Sequence, residues 1–428
     1  MRRLAIVVAL VLTVAIAWQQ RHRVELKLRA ADGGHVSDFD RFMIMVPHFL
    51  DDHADYVDDQ FPTPPLTLAV FAPLARLSRP NAIFVWVLLK LPLALLSWAL
   101  ALSIARRSGA VLTPAAEAAV LALWWLPLVV DAQEGQTNFL ALVPLLAALR
   151  LAQGQRGLSD MAAGLAVALA TSMKVTPIIF LAYFALKRRW WVVTAGLLGL
   201  VLWLVVVPAM FFGWDQNLRW LDAWSRIMIL PYAHRGDIVY ATSQSIPSFL
   251  VRTLTATPAF VSHEGGAVIP HFMNLLELPG DAVRLLVRVV LGALGLYGLM
   301  WAGRPLASLR SRRYLVELGV VAAFMLWASE RTWVHHYVSA ILTWVAASAL
   351  VGDATLPPRW RSGLRAALAV SAVCALGASE AGRLFGPHGV DWAKALGVFL
   401  LPSLVVAGFL VQAEAREPDV SSGQALVD

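Results

Sequence analysis

Pro64-Pro65-Leu66-Thr67-Leu68-Ala69-Val70-Phe71-Ala72-Pro73-Leu74-Ala75-Arg76-Leu77 is the stretch on which the fold turns. It is apolar, yet short. A membrane-spanning helix needs about 20 mostly apolar residues, and about 17 at the least. Prolines at its start suit a first helical turn, where the missing N–H has no partner to lose. If 64–77 crossed the bilayer, every later segment through 190–212 would invert, and Lys187-Arg188-Arg189 would face outward. Cytoplasmic loops collect Lys and Arg, so that inversion is disfavoured. We therefore assign 64–77 as a helix lying in the interface, and 245–254 likewise.

Outward from this stretch, about twelve segments are candidates to span: 4–19, 81–105, 114–130, 138–153, 158–173, 175–187, 190–212, 281–302, 314–329, 334–351, 363–380 and 392–412. With the N-terminus inside, the inner loops carry Arg106-Arg107, Arg150 with Arg156, Lys187-Arg188-Arg189, Arg304 through Arg313, and Arg359, Arg361 and Arg365. Every inner loop is basic. Arg21, Arg23, Lys27 and Arg29 are the exception and fall outside. Two long outer loops result, at about 20–80 and 213–280. The first is acidic in its second half, at Asp51, Asp52, Asp55, Asp58 and Asp59. Residues 1–412 form one all-α, polytopic transmembrane domain, and 413–428 a polar tail.

Composition agrees. Of 428 residues, 59% are hydrophobic and only 15% charged, against about 25% charged in a soluble domain. Leu4 to Trp18 follows Arg2-Arg3 like a signal peptide, but runs into Trp18-Gln19-Gln20 without a convincing small-residue cleavage site. It reads as an uncleaved first helix. The net charge of +7 belongs to the inner loops rather than to nucleic-acid binding. A single cysteine, Cys374, excludes an intramolecular disulfide and any multi-cysteine metal site. The 17 tryptophans suit interfacial anchoring.

This topology places the unusual polar clusters at one outer rim. Asp38 and Asp40 follow the first helix; in an extended segment they share a face, and a carboxylate there can act as general base. A solvated acid paired with Arg41 fits the same residues. Gln136 and Asn138, in Gly135-Gln136-Thr137-Asn138, can cap a helix or bind sugar hydroxyls, with Asp131 and Glu134 beside them. Lys174 precedes Val175-Thr176-Pro177. A cation at that depth faces a partner or a water-filled cavity, and phosphate is one such partner; snorkelling is the plainer alternative. Glu330, Arg331, Trp333, His335 and His336 cluster between two spans. Adjacent histidines do not face one way on a helix, so they make no bidentate metal site by themselves. Between Trp214 and Tyr240, Arg219, Trp220, Trp224, Arg226, His234 and Arg235 interleave aromatic and basic groups, which suits sugar stacking or anchoring.

In order, Asp38-Phe39, Phe61 to Pro65, Gly135-Gln136-Thr137-Asn138, Lys174-Val175-Thr176-Pro177, Gln244-Ser245 and Trp333-Val334-His335-His336 resemble the motifs of glycosyltransferase family 87. That family belongs to the GT-C superfamily of polyprenyl-phosphate-sugar-dependent transferases. It includes actinobacterial α-1,2-mannosyltransferases of phosphatidylinositol mannoside synthesis. The resemblance covers about 35–345. It implies a GT-C-type bundle in a bacterial inner membrane with its active site on the extracytoplasmic side. It also implies a polyprenyl-phosphate sugar donor, a lipid or glycan acceptor, and Asp38 or Asp40 as base. Gln136, Asn138, Lys174, Gln244, Arg331 and His335 or His336 become substrate contacts. No cofactor is required; a divalent cation is compatible with the acidic rim, but no spacing demands one. Phe61 stands where the family has Tyr, Ser243 where it has Asn, and Val334 where Asp is common, which leaves sugar and acceptor open. Two rival functions fit the hydropathy. A transporter or flippase would show related halves and midplane polar groups, which this pattern lacks. A polymerase or ligase would differ in using diphosphate-linked donors.

Overall fold

The computed structural model describes residues 2–30, 34–51, 56, 61–231, 242–306 and 308–414. Asp52, Asp55, Asp58, Asp59, His234, Arg235 and the tail beyond 414 lie outside these. Where the sequence reading runs 1–412 as one domain, the chain packs as two compact units. The first comprises Met1–Leu100, Pro127–Leu181 and Arg189–Asp237; the second comprises Ala101–Leu126, Ala182–Arg188 and Ile238–Asp428.

The expected apolar segments are mainly helical, 392–412 being broken between Ala395 and Leu400, and the two expected interfacial segments contain helices Leu66–Ala75 and Ile246–Leu254. The number of spans is a different matter. Among the described residues, five helices are long and apolar enough to cross a membrane: Arg79–Arg107, Pro114–Glu134, Trp190–Phe212, Gly280–Ala302 and Val334–Val351. A sixth arises if Gly389–Ala395 and Leu400–Ala413, bent by 41°, count as one. Gly397, with φ 75°, marks that break. The expected twelve are thus not reached on length. Asn138–Ala152 and Leu158–Met173 have 15 and 16 residues. At 1.5 Å per residue they fall short of the roughly 30 Å hydrocarbon core.

Three elements depart from the sequence reading. Asp38–Asp51 is a helix, not extended, and buries Phe39, Phe42, Met43, Val46 and Phe49 at helical spacing. Trp214–Met228 is also helical and buries Asn217, Trp220, Ala223 and Trp224. The third is a β-hairpin, which qualifies the all-α expectation: Phe260–Glu264 pairs antiparallel with Ala267–His271. Gly265 and Gly266 close it with φ 58° and 85°, the geometry of a tight two-residue turn.

The first unit's core is aromatic. Phe39 stacks on Trp86 at 5.1 Å and meets Phe71 edge-on at 5.4 Å. Phe49 meets Trp220 at 5.7 Å. Burying each ring contributes roughly 1.5–3 kcal/mol. Trp220 and Trp224 are therefore packing residues, not exposed platforms for sugar or interface. Helix Leu158–Met173 lies close to Trp190–Val201. A Cβ on Gly164 would meet the Val192 carbonyl and come within 2.7 Å of Gly196 N, the close approach that small residues permit between membrane helices. A π-turn at Leu202–Val206 precedes Pro208. Proline has no N–H for the carbonyl four residues back. Asn217 supplies the donor, its Nδ2 reaching Leu204 O at 3.1 Å and Val205 O at 3.0 Å.

Basic residues expected in inner loops also tie helices together within their own units. Arg189 Nε donates to Asp160 Oδ2 at 3.0 Å in the first. Lys187 Nζ reaches Glu317 at 2.8 Å in the second.

Candidate functional site

The first unit gathers five of the nine sequence-selected residues. Ser37 Oγ accepts the Asp40 N–H at 3.3 Å, so helix Asp38–Asp51 begins at Asp38. Hydroxyl capping of this kind satisfies an otherwise orphaned N–H. Residues two apart on a helix do not face one another, so the reading that put Asp38 and Asp40 on a shared face does not hold. Their surroundings diverge accordingly. Asp40 is 1% exposed. It receives Arg79 Nε at 3.0 Å and Nη2 at 2.9 Å, plus the Val36 N–H at 3.0 Å. That bidentate partner is Arg79, not the adjacent Arg41. Asp38 is half-buried and accepts a hydrogen bond from Gln136 Nε2. Burial raises its pKa above the ordinary aspartate value; Arg41, His35 and the Gln136 bond oppose this without cancelling it.

Gln136 is brought to Asp38 by a clasped turn. Helix Pro114–Glu134 ends at Gly135, whose φ is 64°. Glycine adopts this conformation at no steric cost. The place is also crowded: a Cβ on Gly135 would collide with Cβ of Phe39. Trp86 Nε1 holds the Gly135 carbonyl at 2.7 Å.

Beside the turn lies a buried chain of charges. Lys90 Nζ donates to Asp131 Oδ1 at 2.5 Å and to the Gln136 carbonyl. Asn138 Nδ2 donates to Asp131 Oδ2 at 2.8 Å, and Asn138 Oδ1 accepts from Lys174 Nζ at 2.5 Å. Asp131 is fully buried and Lys90 is 4% exposed. Lys174 sits in extended backbone just past helix Leu158–Met173 and is only partly buried. Desolvation lowers its pKa to about 7; Asp131 opposes the shift and Lys90 adds to it. Two cations thus share one carboxylate, and the surplus charge rests on Lys174. Lys90 escaped the sequence reading. Its signal was present, since it is the one charged residue between Arg79 and Arg106 in an apolar helix, and an isolated charge there usually serves a site.

Gln244, Arg331, His335 and His336 belong to the second unit. Gln244 is fully buried and its amide is taken up by backbone. Nε2 donates to Thr242 O at 3.0 Å and Lys394 O at 2.6 Å, and Oε1 accepts the Phe399 N–H at 3.2 Å. It acts as a strut between segments rather than as an open hydroxyl contact. Ser243 Oγ accepts the Thr332 N–H at 2.9 Å, which ties this segment to the stretch carrying Arg331. Both histidines are buried, with ring centroids 4.4 Å apart. His336 Nδ1 accepts the Trp333 N–H at 3.0 Å, so in the neutral ring the proton sits on Nε2.

The arrangement in the first unit offers a held carboxylate able to take a proton, amides, and a cation with spare donors among the described residues. Against models of known protein families, residues 61–329 match glycosyltransferase family 87. None of the curated proteins matches the chain. The matched range holds Gln136, Asn138, Lys174 and Gln244. Asp38, Asp40, Arg331, His335 and His336 lie outside it.

Proposed function

Because the chain belongs to glycosyltransferase family 87, and is so a membrane glycosyltransferase, we propose that it moves one hexosyl group, mannosyl in our reading, from a polyprenyl-phosphate donor to a lipid or glycan acceptor. We place the reaction at the extracytoplasmic face of a bacterial inner membrane. The acceptor hydroxyl oxygen attacks the anomeric carbon while Asp38 takes its proton. The bond from the anomeric carbon to the phosphate oxygen breaks, and the polyprenyl phosphate leaves with the electron pair. Lys174 stabilises the charge that develops there. A single displacement inverts the anomeric centre and needs no covalent enzyme intermediate. Arg331, His335 and His336 stay proposed substrate contacts on the resemblance alone.

The observation that carries this reading is the contrast between the two aspartates. Asp40 is consumed by Arg79, whereas Asp38 is half-buried, held by one amide and raised in pKa. The test is Asp38→Asn in purified enzyme given polyprenyl-phosphate mannose. Loss of a general base costs about 10²–10⁴-fold in rate. Unchanged turnover would remove Asp38 from the mechanism.

A further inference from the structure

We infer that Lys90 is a positioning residue for glycosyl transfer. It neutralises Asp131 and ties down the Gln136 carbonyl, so that Lys174 keeps its charge for the substrate phosphate and Gln136 keeps its amide on Asp38. The inference rests on the roles proposed above for Asp38 and Lys174.

Lys90 is the sole charge between Arg79 and Arg106 of helix Arg79–Arg107. Its ammonium lies 5.2 Å from the Trp86 ring and 5.8 Å from Phe139. A buried ion pair alone would be weak grounds for function, since apolar replacements of similar volume are often as stable. The connectivity says more. Asp131 spends one oxygen on Lys90 and the other on Asn138, and Asn138 passes its Oδ1 to Lys174. Lys90 and Lys174 therefore compete for one carboxylate, with Asn138 as spacer. While Lys90 holds Asp131, the three groups carry one surplus positive charge, on the partly exposed Lys174. Take Lys90 away, and Asp131 becomes an uncompensated buried anion whose nearest cation is Lys174. The site then becomes neutral and loses its attraction for phosphate. The second Lys90 bond acts on the other arm. The Gln136 carbonyl it holds belongs to the residue whose side chain meets Asp38.

Arg41 and His35 face Asp38 along with the Gln136 amide. Asp131 and Lys90 face Lys174, which also bonds Asn138.

The experiment measures kcat, donor KM and the pH profile of full-length enzyme with polyprenyl-phosphate mannose. The variants are Lys90→Gln, Lys90→Gln/Asp131→Asn and Asp38→Asn. Lys90→Gln is expected to lower kcat/KM about 100-fold, as ångström-scale misplacement does, mostly through donor KM. Its alkaline limb moves to higher pH, because the repulsion of Lys90 on Lys174 is gone. The double variant regains about tenfold over Lys90→Gln, since removing the stranded carboxylate frees Lys174 again. No rescue, or an alkaline limb that stays in place, overturns the inference. If Lys90→Gln does not fold, the double variant, which buries no stranded charge, carries the test alone. It is expected within about tenfold of wild type, and a loss near 100-fold overturns the inference. Turnover retained in Asp38→Asn sinks the mechanism itself; turnover lost there, with no rescue at Lys90, sinks only the role of Lys90.

Discussion

Replacing Asp40 by Asn separates the two aspartates, and its cost can be worked from the geometry. Asp40 presents one oxygen to Arg79 Nε and the other to Arg79 Nη2 and the Val36 N–H. An asparagine amide has one acceptor and one donor edge. Turned one way it sets an N–H against Arg79 Nε; turned the other, against both Nη2 and Val36. In either case a guanidinium loses its counter-charge. Breaking a buried pair costs about 3–5 kcal/mol. The lower end applies here, because the Arg79 side chain keeps 22% of its surface while that of Asp40 keeps none. The assay is thermal unfolding of purified protein in detergent, paired with turnover below the transition. Asp40→Asn is expected to unfold well before wild type yet turn over within a few-fold per folded molecule. Asp38→Asn does the reverse, unfolding no earlier than wild type and losing the rate. A second substitution, Arg79→Leu, should restore part of the stability lost in Asp40→Asn by removing the stranded cation. If Asp40→Asn were as stable as wild type but inactive, the assignment of roles would be inverted and the reasoning wrong.

Four further outcomes follow from the structure. The pH profile of kcat/KM should be bell-shaped, because Asp38 must be deprotonated and Lys174 protonated in the free enzyme. The alkaline limb should fall near pH 7, where Lys174 titrates, and Lys174→Gln should abolish that limb; a flat profile above pH 7 in wild type counts against the cation. Asp38 also has a stability signature. Its folded pKa is raised, so the folded state holds its proton more tightly. That contribution is complete below the unfolded pKa and is lost as pH rises through the folded one, a pH dependence that Asp38→Asn should erase in unfolding measurements. Gly135→Ala should cost about 1–3 kcal/mol from left-handed strain and collision with Phe39 and lower turnover with it, checked by unfolding and kinetics together. Asn217→Ala should cost about 1–3 kcal/mol by orphaning the Leu204 and Val205 carbonyls, lowering the unfolding midpoint.

Much of the architecture was legible along the chain because hydropathy is a local property. Helix Leu158–Met173 falls on the bounds that its apolar run sets, and within 64–77 a helix forms over Leu66–Ala75. The hairpin had a local signal too, in Gly265-Gly266 between alternating residues, but it was hidden within a long polar loop. The amphipathic pattern of Trp214–Met228 was likewise present, with Asn217, Trp220 and Trp224 at helical spacing, yet its tryptophans looked like surface groups until Phe49 and Phe212 were seen against Trp220. Span number was the weakest reading. Length along the chain does not say whether a 15- or 16-residue apolar helix is exposed to lipid or sheltered by neighbours.

From residue order alone came the membrane class, most of the helical segments and the polar positions worth suspecting. These follow from composition and periodicity, which neighbouring residues set between them. Which aspartate is held and which is available came only from tertiary structure. It depends on Arg79 reaching back 39 residues to Asp40 and on Gln136 reaching 98 residues to Asp38. The pairing of Lys90 with Asp131, 41 residues apart, is of the same kind. Electrostatic pairing acts through space over a few ångströms, so the partner that settles a side chain's charge and role can lie anywhere in the sequence.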